Sequence, residues 1–404
     1  MRTVKLKDIT LTITDGKHGD CKNHDGSGYY FISCKDVYDE TIHYENARQI
    51  TEDDFRDADR RTNLAAYDIL ITNSGTIGRM ALVKDIPETR KTTFQKSVAI
   101  VRADTSQVVP NYLYYLLKSK VHDFINSSNG SAQKNLLLST MRDFDISFVD
   151  SFETQHRIAS ILSRYDSLIE NYQKQIKLLE EAAQRLYKEW FVDLHFPGHE
   201  NTKIVDGVPE GWEKKKISDI CQTVGGGTPS TKVAEYYDDG NIKWVTPTDI
   251  TRSNCLCLFD TDKKITEDGL AHSSAKILPP ETILMTSRAS VGYFGIYDCE
   301  VCTNQGFISC IPNERSYQMY MLYNLINRVE EIRQKAGGST YLEISKSVFR
   351  DFDIVLPSCM VLETFQEQSH KMLDCMRQIA KQLRLLTEAR DRLLPKLMSG
   401  AIEV

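Results

Sequence analysis

A chain of 404 residues, 26% charged and 41% hydrophobic, has an ordinary globular composition and more length than one typical domain needs. It contains neither an apolar run near the ~20 residues of a membrane span nor a basic N-terminus leading into an apolar stretch, so no membrane partner and a cytoplasmic location are expected. A net charge of -6 excludes a blanket electrostatic grip on nucleic acid but leaves room for a local basic face, and the ten cysteines follow no even framework and are expected to stay reduced.

In chain order, residues 1–150 read as a mixed α/β module opened by VKLKDI (4–9). Its β-rich runs, Asp68–Thr72 and Ser97–Arg102, are bounded by Gly, Asn and Asp, and a short helix is predicted at Asn111–Asn126. RDFDI at 142–146 reads as the last strand, with Phe144 and Ile146 on its apolar face. From 151 to 193 the pattern is helical. Ile158, Leu162, Tyr165, Ile169, Tyr172, Ile176, Leu179, Ala183, Leu186 and Trp190 are spaced 4,3,4,3, the seam of a coiled coil. A Gly/Pro-rich linker at 194–212 leads into a second module, 213–357, with strands at Thr282–Thr286 and Phe307–Ile311 and a helix at Ser316–Lys335. The last segment, 358–404, is again helical, with the seam Phe365, Ser369, Met372, Met376, Ile379, Leu383, Leu386, Arg390, Leu393 and Leu397. Ser369 and Arg390, polar at seam positions, are expected to set register.

The second half restates the first. RDFDI recurs at 350–354, and NGSAQKNLLLSTMRDFDI (129–146) lies over GGSTYLEISKSVFRDFDI (337–354). ILITNSGTIG (69–78) matches ILMTSRASVG (283–292), TFQKSVAI (93–100) matches TNQGFISC (303–310), and VKLKDI resembles KKISDI (215–220). LLEEAAQRL (178–186) over LLTEARDRL (385–393) registers the helices. Blocks in the same order twice over mean an internal duplication.

A helix from Ile158 to Trp190 is ~50 Å long. The first module hangs on its N-terminal end and the linker leaves from the other, which favours two antiparallel helices with one module at each end. The bland alternative is a pair of ordinary core helices. A duplicated ruler suits a bipartite target, and ~50 Å corresponds to ~15 base pairs of double-stranded DNA. The symmetry also presents equivalent surfaces to two copies of a partner.

Residues for such a target are sought in the paired loops. From 68 to 102 there are six Lys/Arg against three Asp/Glu, so Arg79, Lys84, Arg90, Lys91 and Lys96 are candidate phosphate contacts, or simply a solvated face. Asn73, Ser74, Thr76, Gln95 and Lys134 complete the first set of candidate DNA-binding residues. The matched positions of the second half give Thr286, Arg288, Ser290, Asn304 and Gln305, with Ser339 and Tyr341 farther on. Arg288 replaces Ser74, and Asn304 and Gln305 stand over Phe94 and Gln95. Arg, Asn and Gln are the side chains that pair with base edges.

No catalytic residue is assigned. Gly225–Gly227 lacks the Lys and Ser/Thr of a phosphate loop and reads as a turn. Neither half has the Asn/Asp-Pro-Pro-aromatic tetrapeptide of an amino-methyltransferase; LPPE at 278–281 reads as a turn before a strand. Cys255, Cys257, Cys299, Cys302 and Cys310 are unevenly spaced and are expected to be free thiols rather than a metal site. His156 and His195 read as capping or surface residues.

The arrangement resembles the specificity subunit of Type I restriction-modification systems. The likeness rests on GVPEGWEKKKISDI (207–220), ILITNSGTIG with ILMTSRASVG, the Gly-Ser segments before RDFDI, and RLYKEWFVD (185–193). The N-terminal VKLKDI departs from it in lacking the Gly-Trp found at Gly211 and Trp212. The resemblance implies an α/β (α+β) fold: two similar target-recognition domains joined by two long antiparallel coiled-coil helices with a pseudo-two-fold repeat. It implies a noncatalytic chain without a cofactor of its own, two methyltransferase subunits using S-adenosylmethionine, and two ATP- and Mg-dependent restriction motor subunits. A stand-alone methyltransferase or nuclease, and a coiled-coil scaffold without DNA binding, are the competing readings.

Overall fold

The computed structural model describes residues 1–128, 135–253, 255–338 and 341–404. Its contacts divide the chain into two units, Met1–Leu168 with Leu386–Val404, and Ile169–Leu385. Each holds one α/β module and a portion of both long helices, Phe152–Tyr187, continued by a π-helical turn at Lys188–Val192, and Cys359–Met398.

In the first unit an antiparallel sheet runs in the order Thr10–Asp15, Val98–Ala103, Ile69–Thr72, Met80–Leu82. Ile69–Thr72 is buried at every residue, which its unbroken apolar run requires. Helix Pro110–Ser119 covers the sheet. Six consecutive residues, Tyr112–Leu117, are buried, as suits a helix that is apolar all round. The predicted helix 111–126 is in fact two, broken at Lys120 (φ -105, ψ 7). The second piece, Val121–Asn126, buries only Phe124 and turns so that Val121 lies against Gly78.

The second unit repeats this order: Cys221–Gly225, Phe307–Pro312, Ile283–Thr286, Phe294–Tyr297, with Cys257–Leu258 added in parallel at the edge. Its helices Gln318–Asn327 and Val329–Lys335 break at Arg328, the counterpart of Lys120. Gly292 meets Val329 as Gly78 meets Val121.

Each module closes by pairing its first and last strands. Arg2–Lys5 lies antiparallel to Asp145–Phe148, and Glu213–Lys216 to Asp353–Leu356. The first strand therefore forms without a preceding Gly-Trp. RDFDI is not wholly a strand, contrary to expectation. Arg142 ends the helical turn Leu138–Arg142, Phe144 packs against Phe124 with tilted rings whose centroids are 4.5 Å apart, and only Asp145 and Ile146 are extended.

In the first unit, Ile158, Ala159 and Leu162 share a core with Leu394, Leu397 and Met398, and Leu393 packs against it. In the second, Ile176 meets Ile379 and Ala380, flanked by Tyr172, Leu179 and Leu383, while Trp190 lies 5.8 Å from Phe365. Low numbers of one helix thus meet high numbers of the other, so the two run antiparallel within each unit. Ile169 and Met376 are buried; Tyr165, Leu186, Met372 and Leu386 are partly buried. Segment 194–212 is ordered locally: Asp206 and Gly207, both with positive φ, turn a hairpin between Ile204–Val205 and Val208–Pro209, and Phe196 is buried against Trp212. Among the described residues no helix is long and apolar enough to cross a membrane.

Candidate nucleic-acid interface

Two loops converge at one end of each sheet, and the same hydrogen bonds build them in both units. Thr72, fully buried, donates its hydroxyl to the Thr76 carbonyl and accepts the Arg79 amide at 2.9 Å, closing the loop 73–78. Thr286 does the same with the Ser290 carbonyl and the Tyr293 amide, at 2.9 Å, around 287–292. Gly78 and Gly292 end the loops at φ +87 and +86, a region that a side chain resists.

The neighbouring loop is placed by a close backbone crossing. A Cβ on Gly16 would lie 2.1 Å from the Phe94 carbonyl oxygen, and one on Gly226 2.1 Å from those of Thr303 and Asn304. Gly225–Gly227 is therefore a strand end and a tight crossing; the expected turn is replaced by this approach. The crossing carries Lys17 alongside Gln95 in one unit and Thr228 onto Gln305 in the other, through a hydroxyl-to-amide-oxygen hydrogen bond. Lys17 and Thr228 were not singled out from the sequence, where the glycines before them were the only signal. Lys17 pairs with Asp57 at 2.9 Å, which raises its pKa above the ordinary lysine value.

The candidate residues fall into three groups. Thr76, Arg79, Lys91 and Lys96 are exposed in the first unit, as are Ser290 and Gln305 in the second. Lys91 sits over the Tyr29 ring at 5.6 Å. Ser74 and Gln95 are half-buried, Ser74 bridging to Asn135. Arg288 is also half-buried, against Tyr341 and Glu343, while Asn304 accepts the Gly306 amide at 2.9 Å. Asn73 and Thr286 are buried: Thr286 is spent inside its loop, and the side-chain oxygen of Asn73 has no partner among the described residues. Lys134 and Ser339 lie outside the described residues.

The cysteines are free thiols, as expected. The Cys257 thiol donates to the Leu373 carbonyl, Cys302 to that of Lys243 at 3.4 Å, and Cys310 is buried beside Cys221, whose hydrogen bond together with burial raises its pKa. His156 and His195 are exposed. Among the described residues no three His, Cys, Asp or Glu side chains form a metal-binding group. The arrangement is one loop scaffold, repeated in each unit, that displays loops of differing polarity.

Comparison with known proteins follows the duplication. A family model described as the Type I restriction modification DNA specificity domain matches residues 1–181 and again 209–392. The MjaIX specificity subunit of Methanocaldococcus jannaschii is 28% identical over 95% of this chain and 89% of its own length. The HindI specificity subunit of Haemophilus influenzae is 24% identical over 75% of this chain and 80% of its own. Among solved structures, the Type I restriction-modification S subunit from M. genitalium shares the fold, with a TM-score of 0.60 at 16% identity over 98% of this chain and 96% of that one. Matched twice along its length and built as two copies of one module on paired helices, the chain belongs to the family of Type I restriction-modification DNA specificity subunits.

Proposed function

We propose that the chain is the noncatalytic subunit that gives a Type I complex its target. Each module reads one half of a bipartite double-stranded DNA site, and the paired helices fix the gap and dock two methyltransferase subunits. These carry S-adenosylmethionine and flip the target adenines out of the stack, since a stacked base is out of reach. Two ATP- and Mg-dependent restriction motor subunits join in the full complex.

The observation that carries this reading is one loop scaffold used twice with different side chains. The Thr72 and Thr286 hydrogen bonds are the same, while Ser74 is replaced by Arg288 and, where the backbone makes the same strand bond, Gln95 by Asn304. Phosphate contacts from Lys91 and Lys96 would position the duplex, and the differing polar residues would specify sequence. The missing Asn/Asp-Pro-Pro-aromatic tetrapeptide supports leaving methyl transfer to a partner.

The test is long-read mapping of methylated adenines in cells that express this chain with a methyltransferase partner. A two-part motif with a fixed gap is expected. A continuous motif, or S-adenosylmethionine binding by the isolated chain, counts against the proposal.

A further inference from the structure

Arg288 is a half-buried cation of the candidate loops, held from two sides. Its guanidinium carbon lies 4.5 Å from the centre of the Tyr341 ring, and its Nε lies 3.5 Å from the Glu343 carboxylate. The backbone is fixed on both sides. Ala289 donates to the Leu342 carbonyl at 2.8 Å, and Ile344 to the Ser287 carbonyl at 3.0 Å, so that Arg288 and Glu343 form an antiparallel bridge. Among the described residues neither terminal amino group of Arg288 has a hydrogen-bond partner. The side chain is 37% exposed, and Tyr341 is 40% exposed.

A second observation comes from the backbone. Ala289 has φ 61, a left-handed conformation that a residue with a Cβ resists, and its counterpart in the first unit is Gly75 at φ 76. The second module thus holds a strained alanine where the first uses glycine. Strain of this kind persists where the surroundings over-determine it, and it gathers at binding sites. At the matching position the first module has only Ser74, bridged to Asn135.

We infer that Arg288 reads a guanine in the major groove of the second half-site. This rests on the DNA-recognition reading above. A guanidinium whose ring face and Nε are already held loses little rotamer freedom on binding. The two amino groups, without a hydrogen-bond partner among the described residues, remain as a planar fork, which matches the O6 and N7 acceptors of guanine. A phosphate contact needs charge but no such fixed plane. The first module has no arginine there, so its half-site is read by other means.

The experiment uses the complex of the full chain with its methyltransferase partner. Methylated adenines are mapped for the native chain, Arg288→Gln and Arg288→Lys, and binding is measured on duplexes carrying the mapped site and its single-base variants. Both variants are expected to keep the first half-site and the spacer. Discrimination at one G·C pair of the second half-site should fall by about 10- to 100-fold in the glutamine variant, and lysine, a point charge without the planar fork, should recover little of it at this stacked site. The lysine variant, which keeps the charge, gives the same readout if the glutamine variant does not fold.

Unchanged motifs in both variants would overturn the inference. So would a uniform loss on all sequences that lysine rescues, the mark of a phosphate contact, or a second half-site without a G·C pair. If the native complex gives no bipartite motif, the underlying function fails and Arg288 with it.

Discussion

The guanidinium of Arg390 lies 2.7 Å from the carboxylate of Asp166, tying the two long helices together inside the first unit. It also meets Glu40 at 3.0 Å, while Tyr115 donates to Asp166 at 2.5 Å. Burial opposes the arginine's charge, yet Glu40 and Asp166 outweigh it and hold its pKa above the ordinary value. The second unit fills the matching places with Ala183 and Leu373, both fully buried.

Truncating Arg390 to alanine should therefore cost about 2 kcal/mol: a broken buried pair costs more, but Asp166 and Glu40 keep 26% and 31% exposure. Arg390→Ala with Asp166→Leu copies the solution of the second unit and should recover most of the loss, because an apolar pair of suitable volume replaces an ion pair at little cost. Glu40 keeps Lys118 at 2.6 Å. Urea unfolding of the two variants checks this; a double variant no more stable than the single one would refute it.

Much of this was legible in the sequence. The 4,3 spacing marked both helices, and a lone arginine in an apolar seam marked a register device. Its partner was not legible. Glu40 sits in a tight turn with Asp39, both at positive φ, between the strands Val37–Tyr38 and Thr41–Ile42, and nothing local ties that turn to a helix 350 residues away. Helix Glu52–Thr62 also went unread. Its signals were present: Thr51 caps the Asp54 amide, three acids open the first turn, and Arg60 and Arg61 close the last. It lacked only an apolar stripe, since Phe55 and Ala58 are its sole buried apolar residues. The contacts of Arg288 are of the same kind, made by residues more than fifty positions on.

The repeated RDFDI offers a sharper division of labour. Arg142 donates to the Ile13 carbonyl at 2.6 Å, and Arg350 to the Thr223 hydroxyl at 2.5 Å and carbonyl at 3.0 Å, so each pins the first strand of its sheet. The aspartates do less. Asp145 and Asp353 pair with Lys5 and Lys216 at 2.8 Å in the open, where ion pairs contribute little. Arg142→Ala and Arg350→Ala should each cost about 1–2 kcal/mol, the charged hydrogen bonds being part-buried. Asp145→Asn and Asp353→Asn should change almost nothing. Urea midpoints of the four variants test the split, and an aspartate variant weaker than its arginine neighbour would reverse it.

A pH effect follows from Glu281 and His370, 2.9 Å apart in the second unit. The imidazole, helped by Arg377 at 2.8 Å, holds the Glu281 carboxyl down to about 2 against its burial. Glu281 and Asp374 in turn raise His370. The carboxylate contributes stability that is present above its unfolded value of ~4.3 and is lost as pH falls toward 2. The histidine contributes below its unfolded value of ~6.5 and loses that contribution as pH rises through its raised folded value. The pair is fully effective only between those two unfolded values. His370→Gln should cost about 1–2 kcal/mol at pH 5.5, as for a charge-assisted hydrogen bond, and much less at pH 9. Equal losses at both pH values would show that the proton on His370 is irrelevant.

The helices can be tested as a ruler by changing their length without changing what they carry. One heptad adds ~10.5 Å to a helix and turns it nearly two full revolutions, so the apolar seam keeps its face. Inserted after Leu168 in one helix and after Leu385 in the other, where the two units divide, it leaves the Ile158 and Ile176 clusters intact. The loops of both modules are untouched. The methylated motif should therefore keep both half-sites while its gap grows by about 3 base pairs, at 3.4 Å per pair. A heptad in one helix alone should instead mismatch the seam and lower stability. Methylation mapping reads the first variant and urea unfolding the second. An unchanged gap would show that something other than the helices spaces the site, and altered half-sites would show that the modules do not read independently.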